Sequence, residues 1–154
     1  MAATYPDLVN GVIAEVPNSY VDVAPFTRKR SSWTLNGREL PFAPAGQFGA
    51  PAAEVDPKTH IPVDRIRGPI LLACGELDLE WPSCHNVDDI TGRLNGRQGV
   101  SVLRYRDAGH YIGTFPPYTS TTDEALSRTG GTITGIEAAN LDLHTKVLAL
   151  LASL

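Results

Sequence analysis

Nowhere does the chain contain Gly-x-Ser-x-Gly or Gly-x-Cys-x-Gly, the strained strand-to-helix turn that presents a hydrolytic nucleophile. Its two cysteines, Cys74 and Cys84, form neither a C-x-x-C nor a zinc-ligand spacing. Cys74 lies in an apolar run and reads as an inert core thiol. No charged n-region with a following apolar h-region marks a secretory signal, and no apolar run is long enough to span a bilayer. The expected setting is therefore cytoplasmic and reducing, without a membrane partner. Basic clusters are missing apart from Arg28-Lys29-Arg30, which reads as a solvated loop, and the net charge is -4. Both weigh against a nucleic-acid partner. No cofactor motif is present.

What is there bounds the fold. A chain of 154 residues suits one domain, and 42% apolar with 19% charged residues excludes a disordered polymer. With 14 glycines and 12 prolines, much of it must be loop.

The most informative stretch runs from Gly68 to Ser83. Gly68-Pro69 is a turn signal, and Ile70 to Cys74 is an apolar run with the length and flanks of a buried parallel strand. Gly75 ends it, and Asp78 follows just beyond the strand's C-terminal end, where open α/β sheets place their chemistry. A second strand, Val100 to Tyr105, leads through Asp107-Ala108-Gly109 to His110. An acid after one strand and a histidine after the next make two thirds of a nucleophile-His-acid triad, in the chain order of α/β-hydrolases. Each residue also has a blander reading. Asp78 could cap a turn after its strand, and His110 could be a half-buried imidazole bonded to backbone.

In chain order, Ala2 to Pro6 reads as the last turn of a helix, and Leu8 to Val16 as a strand ended by Pro17. Residues 17–67 read as an irregular excursion. Within it Trp33 to Pro41 suits a small hairpin with Asn36-Gly37 in a type I′ turn, and 41–57 is a loop rich in Pro, Ala and Gly. Ser83 reads as the N-cap of a helix from Cys84 to Leu94, stopped by Asn95-Gly96. Phe115 to Gly131 reads as loop. The last helix, 136–154, places Ile136, Leu143, Val147, Leu150, Leu151 and Leu154 on one face. The pattern is α/β, with about three parallel strands, flanking helices and long loops.

Several of these residues resemble the C-terminal catalytic domain shared by acyl-CoA thioester hydrolases and bile acid-CoA:amino acid N-acyltransferases. The resemblance rests on Gly68-Pro69-Ile70-Leu71-Leu72, Gly75-Glu76-Leu77-Asp78, Trp81-Pro82-Ser83, Ala108-Gly109-His110, Trp33-Thr34-Leu35-Asn36-Gly37 and Gly130-Gly131-Thr132. These occur in the family's order from about residue 3 onward. The resemblance implies the C-terminal part of an α/β-hydrolase fold, with 1–154 a single partial domain. It implies Asp78 as the catalytic acid, His110 as the catalytic histidine and an acyl-CoA thioester as substrate of the intact parent. The Ala2 to Pro6 segment resembles the tail of the helix after the family's nucleophile elbow. The nucleophile itself is therefore expected upstream, and the isolated chain is expected to be inert.

Ser83 and Cys84 lie too close to Asp78 to replace that nucleophile, which comes from a different strand in this fold. Trp81 reads as packing beside the acid loop, Glu76 and Glu80 as solvated, and His85 and His144 as surface or packing residues. The Leu8–Val16 strand is expected to present an unpaired edge, open to self-association or to a complementing chain. A fragment of a dienelactone-hydrolase-like esterase is the alternative within enzymes, because Gly-x-x-Asp and Gly-His marks are shared across that fold.

Overall fold

The structure is a computed structural model and describes residues 1–24, 26–113 and 122–154. Its centre is a three-stranded parallel sheet: β1 (Val12–Glu15), β4 (Ile70–Gly75) and β5 (Val100–Tyr105), in the order β1-β4-β5. Val12 pairs with Ile70 and Glu15 with Ala73 on one side; Ile70 pairs with Val100 and Gly75 with Tyr105 on the other. All six residues of β4 are buried, as a central strand covered on both faces requires.

Side chains alternate across β4 and feed two separate cores. Ile70, Leu72 and Cys74 pack with Val87, Ile90 and Leu94 of α1 (Ser83–Leu94) and with Ala3, Val63 and Ile66. Leu71 and Ala73 pack with Ile136, Ala139, Leu143 and Val147 of α3 (Ile133–Leu151), together with Ala108 and Ile112. The result is helix, sheet, helix, the α/β architecture that the strand pattern indicates.

Residues 17–67 are irregular but not unstructured. Their described residues hold the hairpin β2 (Thr34–Leu35) and β3 (Arg38–Glu39), four 3₁₀ turns and a small core of Tyr20, Ala43, Ala52 and Val55. Asn36 and Gly37 have φ of 52° and 74°, the left-handed pair that a type I′ turn demands. The Tyr20 hydroxyl donates to the Ala50 carbonyl at 2.9 Å and pins the 45–50 segment over this core.

Several boundaries differ from the sequence reading. The first strand starts at Val12 rather than Leu8, whose side chain points into solvent. The N-terminal residues close a helical turn, Tyr5 N–H to Met1 C=O at 2.9 Å. Pro82, not Ser83, is the N-cap of α1, and Ser83 is buried as its first residue. Asn95 ends α1 in the left-handed conformation, φ 48°. The 115–131 loop contains a helix, α2 (Asp123–Thr129), whose Thr122 Oγ1 accepts from Ala125 N–H. Phe115 to Tyr118 fall outside the described residues. The last helix begins a turn early at Ile133, because Thr132 Oγ1 caps it through Gly135 N–H at 3.0 Å. Leu151 and Leu154, expected on its buried face, are each 53% exposed. Leu151 lies at the margin of the apolar stripe, and Leu154 lies past the helix end.

The largest correction concerns the cysteines. Cys74 and Cys84 are joined as a disulfide, with Cα atoms 5.2 Å apart. Cys74 is thus no free thiol, and cysteine spacing no longer argues for a reducing setting. The bond staples the end of β4 to the first turn of α1 and closes a ring around the segment that carries Asp78.

Candidate active site

The acid and the histidine are brought together by backbone before side chains are considered. The segment after β4 lies on the segment after β5: Leu77 N–H donates to Ala108 C=O at 3.0 Å, and Glu76 N–H to Tyr105 C=O at 3.0 Å. The C-terminal end of α2 completes the stack, with Thr129 C=O accepting from His110 N–H at 2.9 Å and Leu79 N–H at 3.3 Å. Such an approach excludes side chains. A Cβ on Gly75 would strike the carbonyls of Ala108 and Gly109, and one on Gly109 would strike Gly130. The glycines of the Gly-x-x-Asp, Gly-His and Gly-Gly-Thr marks are therefore where three backbones touch.

From this scaffold Asp78 and His110 meet. His110 Nδ1 lies 3.1 Å from Asp78 Oδ2 and 3.2 Å from Oδ1. The Asp78 side chain is 2% exposed and the His110 side chain 15%. Asp78 Oδ1 also accepts from the backbone N–H of Glu80 at 3.0 Å and of Trp81 at 3.3 Å. Burial pushes the Asp78 carboxyl up. The hydrogen bond from His110, the neighbouring Ser83 hydroxyl, the imidazolium charge and the Glu80 amide together outweigh it and hold the carboxyl below its usual value. Ser83 supports the carboxylate from a fully buried position without a well-formed hydrogen bond to any described atom. With a carboxylate facing Nδ1, that nitrogen carries the proton. Nε2 of the neutral ring is left as the available base.

Sequence reasoning found both members of this pair and read Trp81 as packing beside the acid loop, but missed its contact with the imidazole and its tether to Val16. The Trp81 indole meets the imidazole edge to face, with centroids 4.5 Å apart at 84°, and its Nε1–H donates to Val16 C=O at 3.0 Å. Phe48 from the excursion packs on the far side of Trp81, centroids 5.9 Å apart at 76°. The Trp81-Pro82-Ser83 mark was the available signal for this. Glu80 is half exposed, yet its Oε2 comes within 4.0 Å of His110 Nε2. Neither replacement nucleophile is available: Ser83 is fully buried, and Cys84 is bound in the disulfide. His85 is exposed at the start of α1, and His144 lies half-buried in α3. Among the described residues no cluster of His, Cys, Asp or Glu could hold a metal ion, and no helix is long and apolar enough to cross a membrane.

An acid and an imidazole thus meet beyond the C-terminal ends of adjacent parallel strands of an α/β domain. The family model described as BAAT / Acyl-CoA thioester hydrolase C terminal matches residues 13–135, and the chain belongs to that family. The chain is 33% identical to mouse (Mus musculus) acyl-coenzyme A thioesterase 1 over 117 residues, covering 72% of this chain and 27% of the mouse protein. It is 39% identical over 66 residues to mouse acyl-coenzyme A thioesterase 2, mitochondrial, covering 42% of this chain and 14% of that protein. A rat (Rattus norvegicus) acyl-coenzyme A thioesterase 1 matches at 36% over 66 residues, covering 42% of this chain and 15% of that protein. The aligned part is thus about a quarter or less of each relative's length.

Proposed function

We propose that this chain supplies the acid and the proton-shuttling histidine of an acyl-CoA thioester hydrolase or acyltransferase site. The observation that carries this reading is the 3.1 Å contact between His110 Nδ1 and the buried Asp78 carboxylate at the sheet's C-terminal edge. Asp78 holds the ring in the Nδ1–H tautomer and stabilises the imidazolium. His110 Nε2 takes the proton from a Ser or Cys nucleophile as it attacks the thioester carbonyl, then gives that proton to the sulfur of coenzyme A, which leaves as the thiol and returns the imidazole to its neutral form. Hydrolysis or aminolysis of the acyl-enzyme then proceeds with His110 again as base, toward water or an amine acceptor. No nucleophile turn stands within these 154 residues, so the attacking group comes from outside them.

The test is a chimera in which residues 13–135 replace the aligned segment of mouse acyl-coenzyme A thioesterase 1. Acyl-CoA hydrolysis should survive the exchange, and His110→Ala should lower kcat by about 10⁶, the scale on which triads fail when the base is removed. Turnover indifferent to His110→Ala refutes the reading. One observation favours a second role beside the first. Among the described residues β1 pairs only with β4, so its outer edge is open to a strand from another chain or from a second copy.

A further inference from the structure

The hydrogen bond to Asp78 leaves one freedom of the imidazole unfixed. Its Nδ1 is almost equidistant from the two carboxylate oxygens, at 3.1 and 3.2 Å, so the ring can swivel about the bond without losing an acceptor. Something else must set the ring plane, and with it the direction of Nε2. The Trp81 indole stands edge to face with the ring, and it is itself held at both ends. Its backbone N–H binds Asp78 Oδ1, and its Nε1–H binds Val16 C=O at 3.0 Å.

The anchor residue is unusual. Val16 has φ of 42°, a left-handed conformation for a β-branched residue that also precedes a proline, Pro17. Both features disfavour it. Two hydrogen bonds hold it there: its N–H to Ala73 C=O at 2.8 Å and its C=O from the indole. Strain that persists because its surroundings over-determine it marks a functional position. Here it aims one carbonyl at Trp81.

We infer that Trp81 is the positioning residue of the Asp78–His110 pair, fixing the imidazole plane through its tether to the strained Val16 carbonyl. This rests on the reading of Asp78 and His110 as a working acid–imidazole pair. Trp81→Phe keeps a ring against the imidazole and cuts the tether; Trp81→Leu removes both. Val16→Gly adopts the same positive φ without strain and keeps the carbonyl on the indole, so it is the control that leaves the tether intact.

The readout is the His110 Nδ1–H proton in NMR spectra of the full chain at low temperature, followed with a thermal melt. In the unmodified chain this proton should be resolved and should vanish in Asp78→Asn. Trp81→Leu should speed its exchange with solvent several-fold to about tenfold, the scale of one edge-to-face contact. Trp81→Phe should give a smaller acceleration with a cooperative melt, and Val16→Gly should leave the rate unchanged. A proton in Trp81→Leu that exchanges as slowly as in the unmodified chain overturns the inference. Should Trp81→Leu fail to fold, an unchanged rate in Trp81→Phe overturns it equally. If the proton is present and unaffected by Asp78→Asn, the pair itself is misread, a failure distinct from that of Trp81.

Discussion

Reducing the Cys74–Cys84 disulfide should destabilise the fold by a calculable amount. The bond links residues separated by 10 positions and so closes a ring of 11. In the chain-entropy treatment, a ring of this size withdraws about 9 cal/mol/K from the unfolded ensemble, or about 2.8 kcal/mol at 25 °C. Reduction is a cleaner perturbation than substitution, since both sulfurs stay in the core and no cavity opens beside Leu72 and Val87. For a domain of this size that free energy is about 6–11 °C in melting temperature. The assay is paired calorimetry of the protein with and without a phosphine reductant, with thiols counted after denaturation. Two thiols should appear only in the reduced sample, and its melt should come earlier. Melts within about 1 °C of each other, with complete reduction demonstrated, would refute the reasoning. The ring 74–84 would then be as ordered without its staple, held by the backbone bonds of Glu76, Leu77 and Leu79 and by the contacts of Asp78 with His110 and of Trp81 with Val16.

Other consequences can be measured. Burial pushes the Asp22 carboxyl up to about 6, against a hydrogen bond from Asn18 that lowers it. The folded state therefore binds the proton more tightly than the unfolded chain, and ionisation of Asp22 weakens the fold as pH rises from about 4 through 6. Asp22→Asn should raise stability at pH 8 by about 1 kcal/mol after allowance for solvent screening, with no gain at pH 3.5 in the same melts. Asp78 has the opposite sign: its folded value is depressed, so its contribution is full above the unfolded value near about 4 and is lost as pH falls further. Asp78→Asn should flatten the acid limb of the stability curve, and a limb of unchanged slope counts against the pair. Gly75→Ala should destabilise by about 2 kcal/mol or more in urea titrations, since its methyl meets two carbonyls that cannot yield without parting the Asp78 and His110 segments. A neutral effect would show that the backbones do not touch there.

Much of the sheet was legible because β4 and β5 are specified locally. Ile70 to Gly75 is a short apolar run bounded by Gly-Pro and Gly, and Val100 to Tyr105 coincides with its strand. The hairpin at Asn36-Gly37 and the α1 stop at Asn95 are equally local, because each depends on residues that tolerate positive φ. What escaped was set by tertiary contact. The bond between Cys74 and Cys84 depends on α1 folding back over β4, which cysteine spacing does not encode. Helix α2 hid in a run of Ser and Thr, where its cap Thr122 and the acids Asp123 and Glu124 were the overlooked start signal. Leu151 shares the periodicity of the buried positions but lies at the margin of the stripe, and its neighbour Leu150 packs on the core instead.

The site divides in the same way. Asp78 and His110 could be placed by strand-end logic, since each follows its strand by a few residues. Their partner Trp81 could not be, for its role depends on Val16, 65 positions away, offering a carbonyl from a conformation that valine disfavours. Reading Trp81 as packing was correct as chemistry and incomplete as geometry. The indole does fill space beside the acid loop, but the space it fills is the one through which the imidazole would turn. In this chain the pair of ionisable groups is written in local motifs. The orientation of that pair is written in a contact between the end of β1 and the loop after β4, visible only once the two strands lie side by side.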